Sequence, residues 1–259
     1  MLKIIITALA AFGLSVSAPA LAQTAKHDTT IVLVHGAFAE SASWNGVAER
    51  LRADGYTVIA AANPLRGIES DAAYIGRIAA SVHGPVVLVG HSYGGLVISQ
   101  EVATPANVKA LVYVAAFAPD AGEKAADLTA RFPGSTLTGT LAPPVALSDG
   151  SNDLYIDQGK FPAQFAADVP ANEAALMAAT QRPICDTALG EPSGAPSWKR
   201  LPSWFVYGTG DRNIPPAALA FMAERAGSKN TVVVPGASHV LMISHPREVA
   251  GTIEAAAGK

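Results

Sequence analysis

Cysteine is almost absent: Cys185 is the single thiol in 259 residues, so no internal disulfide can form and the fold must be held by packing. There is no CxxC, no HExxH and no Cys/His cluster at ligand spacing, which argues against a structural or catalytic metal and leaves no cofactor expected. Basic charge is also scarce. Lys and Arg number 18 against 21 Asp and Glu, for a net charge of −3, and no basic block appears. Such a surface releases few counterions from a phosphate backbone, so nucleic acid is not an expected partner. Only 15% of residues are charged and half are hydrophobic, as suits one compact domain with a substantial core.

Long hydrophobic runs are missing beyond the first residues, MLKIIITALAAFGLSVSAPALAQ. There Lys3 supplies a positive start, residues 4–16 an apolar stretch, and Ala20-Leu21-Ala22 a small-residue cleavage site before Gln23. The apolar stretch is short for a span of about 20 residues, so residues 1–22 read as a secretory signal peptide rather than an anchor. A mature domain over residues 23–259, periplasmic or secreted and without stable membrane insertion, is the expectation.

What the chain does contain is alternation. IVLV (31–34), YTVIAA (56–61), VVLV (86–89), VKALVYVAA (108–116), SWFVYG (203–208) and TVVVP (231–235) read as strands, most of them apolar enough to be buried on both faces. Helical periodicity follows over residues 44–53, 71–82, 96–102, 215–225 and 246–257. Strands joined by helical crossovers predict an α/β fold, a mostly parallel sheet of about six strands with helices on both faces. Residues 119–197 break the rhythm with many prolines and helix-like stretches at 162–168 and 171–180. So long a connection needs structure of its own, and it predicts a mainly helical cap inserted after the fourth strand.

The chemistry concentrates around VVLVGHSYGG. Gly90-His91-Ser92-Tyr93-Gly94 matches G-x-S-x-G between a strand and a helix, the context in which a serine is carried on a sharp, strained turn. Side-chain-free neighbours let that turn close and expose the Ser92 hydroxyl. A serine needs a base, and the base needs an orienting acid. His239, in GASHVLM just past the last strand, is the base candidate; His35 and His91 read as turn packing, and His245 as a capping residue before Pro246. Asp211, in YGTGDRNIP, completes the chain order Ser, Asp, His, with Asp120 in AAFAPDAGE as the rival acid. The loop VHGAFAES presents the N–H of Ala37, or alternatively Phe38, as one oxyanion donor, and the N–H of Tyr93 serves as the second. Phe38, Phe161, Phe165 and Trp198, with Leu154, Tyr155 and Met177, are available for an apolar substrate pocket.

HGAFAESASW, GHSYGG, YGTGDRNIP and GASHVLMISHP together resemble the α/β-hydrolase superfamily over the whole mature length. The branch they are most similar to contains plant methyl esterases, the hydroxynitrile lyases related to them and small bacterial carboxylesterases. The resemblance implies Ser92, Asp211 and His239 as a triad, Ala37 and Tyr93 as oxyanion donors, and a small-molecule ester as substrate. The lyases of that branch carry a threonine at the position of Gly36 and a lysine at that of Val240. Neither is present, so hydrolysis of small to medium apolar esters is the expectation, with a triad-using lyase, a cofactor-free perhydrolase or a non-catalytic binder as alternatives.

Overall fold

The computed structural model describes residues 27–258; the expected signal peptide lies outside them. Six parallel strands form the main sheet: β1 (Thr30–Val34), β2 (Thr57–Ala61), β3 (Val86–His91), β4 (Val108–Val114) and, after a long excursion, β8 (Ser203–Gly208) and β9 (Thr231–Val234). Their spatial order is β2-β1-β3-β4-β8-β9. Composition follows position. Every residue of β1 and β3 is buried, whereas the edge strands β2 and β9 keep partly exposed residues. Each fully buried Val, Ile or Leu contributes about 1.5–3 kcal/mol, so the central strands carry most of the cohesion of the sheet.

Helix α10 (Pro246–Ala256), preceded by the short α9 (Leu241–Ser244), lies over β3, β4 and β8 and packs against α1 (Asn45–Ala53), which itself contacts β2, while α2 (Ile68–Ala80) packs with α3 (Gly94–Ile98). Helix α8 (Pro216–Arg225) covers β8. The crossover from β2 back past β1 to β3 makes the junction of β1 and β3 a switch point, where loops diverge and leave a crevice at the carboxyl ends of the strands.

Two helix boundaries differ from the periodicity. Helix α2 begins at Ile68, ahead of the expected 71, because the Glu191 carboxylate accepts the Ile68 N–H at 2.6 Å and the Glu69 N–H at 3.0 Å. Helix α3 ends at Ile98 instead of running to 102. Beyond it Gln100 bridges to Pro196 and Glu101 N–H donates to Ala195 O at 2.9 Å, which draws the chain out of the helix.

Between β4 and β8 lie the short helices α4 (Ala125–Ala130), α5 (Phe161–Phe165), α6 (Ala171–Thr180) and α7 (Asp186–Gly190). This cap also contains a small antiparallel sheet, unforeseen in the sequence: β5 (Val145–Ala146), β6 (Asn152–Leu154) and β7 (Ile184–Cys185). Strands of two or three residues are too short to show an alternating pattern.

Candidate active site

Ser92 follows β3 with φ +53°, a left-handed backbone that a non-glycine residue adopts only where the surroundings enforce it. The enforcement is steric. A Cβ on Gly90 would come within 2.6 Å of Gly94 O, and one on Gly94 within 2.5 Å of Val34 O, so only glycines allow the turn to close this tightly. Hydrogen bonds then tie the turn to its neighbour: Ser92 N–H donates to Val114 O at 3.3 Å, and Phe117 N–H to Ser92 O at 3.2 Å.

Asp211 and His239 leave the ends of β8 and β9, which are paired neighbours, so their loops run side by side. Gly210 N–H donates to Ala237 O at 3.0 Å, binding one loop to the other. The His239 Nδ1–H donates to Asp211 Oδ2 at 2.7 Å, with both side chains buried. Asp211 Oδ1 in turn accepts the N–H groups of Asn213 at 2.8 Å and Ile214 at 3.0 Å. In the tautomer that donates from Nδ1, Nε2 is left with a lone pair, and Nε2 has no hydrogen-bond partner among the described residues. Ser92 Oγ likewise makes no hydrogen bond there, and nucleophile–base contacts commonly tighten only when substrate binds.

The Ser92 and His239 side chains open on one cavity of about 450 Å³. Ala37 and Tyr93 also line it, and neither backbone N–H donates to another group among the described residues. Phe38 N–H is different. It donates to Arg182 O at 2.9 Å, so Ala37, and not Phe38, is the residue of that loop with an amide left to offer. The Tyr93 side chain is anchored below, its hydroxyl donating at 2.9 Å to Asp71, a fully buried carboxylate that burial holds above the usual carboxylate range. His35 fixes the other loop: its Nδ1–H donates to Gly36 O at 2.9 Å and its Nε2 accepts Asn63 N–H at 3.1 Å. Burial lowers the pKa of His35 to about 4.

The proposed pocket residues divide. Phe38 and Phe165 line the cavity, and the Phe165 ring meets His239 edge-on at 5.1 Å between centroids. Phe161 and Trp198 do not line it: Phe161 is packed behind Phe165 at 4.9 Å, and Trp198 is buried at the root of the cap with its indole N–H on Pro119 O at 2.8 Å. Both are cap core. Leu154, Tyr155 and Met177 also lie away from the cavity. Asp120 is excluded as the acid, since its carboxylate is bound at 2.6 Å to Lys199, which holds it below the usual range. The wall that sequence reasoning missed is built by Ala125, Ala126, Thr129, Ala130, Phe132, Leu137 and Leu141. Among the described residues no Asp, Glu, Lys or Arg lines the cavity. No group of three or more His, Cys, Asp or Glu among the described residues could hold a metal ion.

The profile described as "Alpha/beta hydrolase family" matches residues 31–252. The chain belongs to the alpha/beta hydrolase family. Solved structures of this alpha/beta hydrolase fold are similar to it over nearly their full length. Polyneuridine aldehyde esterase superposes with a TM-score of 0.73 at 18% identity, covering 88% of this chain and 98% of its own. A pyrethroid hydrolase from Sphingobium faniae JZ-2 gives 0.68 at 22% identity, covering 88% and 97%. A histidine-to-alanine variant of tomato methylketone synthase I, complexed with beta-ketoheptanoate, gives 0.74 at 22% identity, covering 89% and 97%. No curated protein matches the chain significantly.

Proposed function

We propose that the protein is a serine carboxylesterase for small to medium, largely apolar, uncharged esters. The observation that carries this reading is His239, paired with the buried Asp211, opening together with Ser92 on a cavity whose lining among the described residues holds no Asp, Glu, Lys or Arg. Ser92 Oγ attacks the ester carbonyl as His239 Nε2 takes its proton, and Asp211 offsets the charge of the resulting imidazolium. The amides of Ala37 and Tyr93 hold the oxyanion, each donor being worth about 3–4 kcal/mol in serine hydrolases. Collapse of the intermediate expels the alcohol, which takes the proton from His239. Water, activated by the same imidazole, then releases the acid from the acyl-enzyme.

Two observations disfavour cyanohydrin cleavage. A Cβ at Gly36 would lie 2.6 Å from Ser92 Cβ, so a threonine there does not fit this arrangement. The residue following the base is Val240, fully buried and without a charge to stabilise cyanide. Export to the periplasm or beyond, with maturation near Gln23, belongs to the same proposal and is supported by the pattern of residues 1–22. The test is a panel of p-nitrophenyl esters beside a cyanohydrin and a peroxide-dependent halogenation assay. Ester turnover exceeding both supports the proposal; faster cyanohydrin cleavage or halogenation would replace it with a lyase or a perhydrolase.

A further inference from the structure

Three strand-end loops meet at the cavity floor, and one side chain belongs to the first while touching the main chain of the other two. His91, the last residue of β3, is completely buried beside Ser92 and does not line the cavity. Gly36 N–H, at the end of β1, points to its Nδ1 at 3.4 Å. The carbonyl oxygen of His239, beyond β9, lies 3.1 Å from its Nε2. An amide N–H only donates and a carbonyl only accepts, so the two contacts demand one tautomer, with a lone pair on Nδ1 and the proton on Nε2. A doubly protonated ring would set two donors against each other at Gly36. Burial opposes that state, and the ring is enclosed by Trp44, Phe165 and His239 at centroid distances of 6.4, 6.3 and 4.8 Å.

Each anchored residue adjoins a catalytic function. Gly36 precedes Ala37, whose amide is the oxyanion donor, and its backbone runs so close to Ser92 that not even a methyl group fits between them. The His239 carbonyl belongs to the base itself, so fixing it fixes the root of the imidazole that must reach Ser92 Oγ. We propose that His91 is a positioning residue whose imidazole, bridging Gly36 N–H and His239 C=O, holds the oxyanion loop and the base loop in register around Ser92. The inference rests on the hydrolase reading and adds to it. Filling of space alone would need neither hydrogen bond, since a phenyl ring occupies a similar volume.

That contrast sets the experiment. His91→Phe keeps a ring and removes both bonds, whereas His91→Gln keeps one donor and one acceptor. On a p-nitrophenyl ester the expected result for His91→Phe is a fall in kcat of about 10- to 100-fold with KM within about threefold of wild type. His91→Gln should recover a measurable part of the loss, and labelling of Ser92 by a fluorophosphonate should slow in parallel. Wild-type rates in His91→Phe would overturn the proposal, as would a folded His91→Gln that falls as far as His91→Phe. Imidazole-resolved ¹⁵N NMR of the wild-type protein decides the matter even if both variants unfold: His91 should remain neutral with the proton on Nε2 from pH 5 to 8. A ring that titrates there, or carries its proton on Nδ1, contradicts it. A wild-type protein that no fluorophosphonate labels would overturn the hydrolase reading and this inference with it. A labelled wild type with an indifferent His91→Phe would overturn this inference alone.

Discussion

The floor of the cavity and its outer wall are held by different forces. On the floor, Ser92, Asp211 and His239 sit on loops leaving parallel strands of one sheet, and hydrogen bonds tie those loops to their neighbours, from Ser92 N–H to Val114 O and from Gly210 N–H to Ala237 O. Across the cavity, residues 125–135 supply much of the wall, yet no hydrogen bond from residues 124–135 reaches another part of the described protein. Burial of Ala125 and Leu128, and the Arg131 guanidinium 4.4 Å from the centre of the Phe221 ring, hold that stretch instead. Directional bonds fix atoms to a few tenths of an ångström, as proton transfer requires. Packing is non-directional, so the wall can change shape while the floor keeps its geometry.

Substitutions on the floor should therefore have the largest effects. Ser92→Ala and Asp211→Asn are each expected to lower kcat by about 10⁴-fold or more in steady-state ester hydrolysis with little change in KM, the first by removing the nucleophile and the second by releasing the tautomer of His239. If a wall substitution matched that loss, the contrast between floor and wall would fail.

The acid response of the floor comes next. His35 has a pKa of about 4 in the folded protein against an ordinary 6.5. Between those values the unfolded chain binds more protons than the folded one, so stability rises with pH through this window and is lost as pH falls through it. The change attributable to His35 approaches about 3 kcal/mol. Buried His91, also held below its ordinary value, acts in the same sense. Asp71, raised above its own, acts in the opposite sense and offsets part of the loss. Thermal unfolding followed from pH 7 to pH 4 should show a falling Tm, and a flat profile would contradict the buried neutral histidines.

A wall substitution should shift selectivity. Ala130→Leu places a larger side chain on the cavity face of α4 and should lower kcat/KM for a bulky ester relative to an acetate by about 10-fold, consistent with 1–3 kcal/mol for a mismatched apolar group. An unchanged ratio would mean that this face does not meet the substrate.

The smallest effect is expected where the far half of the cap is tied to helix α2. Glu191 caps α2, and Glu191→Ala should cost about 1 kcal/mol in chemical denaturation. Loss of stability without loss of kcat would separate tether from floor.

The same division explains what could be read in the sequence. The floor was legible because its constraints are local: the glycines around Ser92 are those a left-handed serine turn demands, and Asp211 and His239 follow strands that are recognisable singly. Interactions between distant segments were not legible. Nothing near residue 68 announces that Glu191, more than a hundred residues later, starts the helix there. The choice between Ala37 and Phe38 depended on the carbonyl of Arg182. The alanines of the wall carry no signal, and Phe132, Leu137 and Leu141 stand out no more in the sequence than Phe161 and Trp198, which serve the core of the cap. The sequence around His91 suggests turn packing alone; a buried histidine must satisfy two ring nitrogens, and their partners lie in two other segments of the chain.

Reaction of the purified protein with a fluorophosphonate tests most directly whether Ser92 is an activated nucleophile. Stoichiometric labelling mapped to the Ser92 peptide and abolished in Ser92→Ala is the predicted result. A folded wild-type protein that stays unlabelled, or a Ser92→Ala variant that labels as fast, would contradict it.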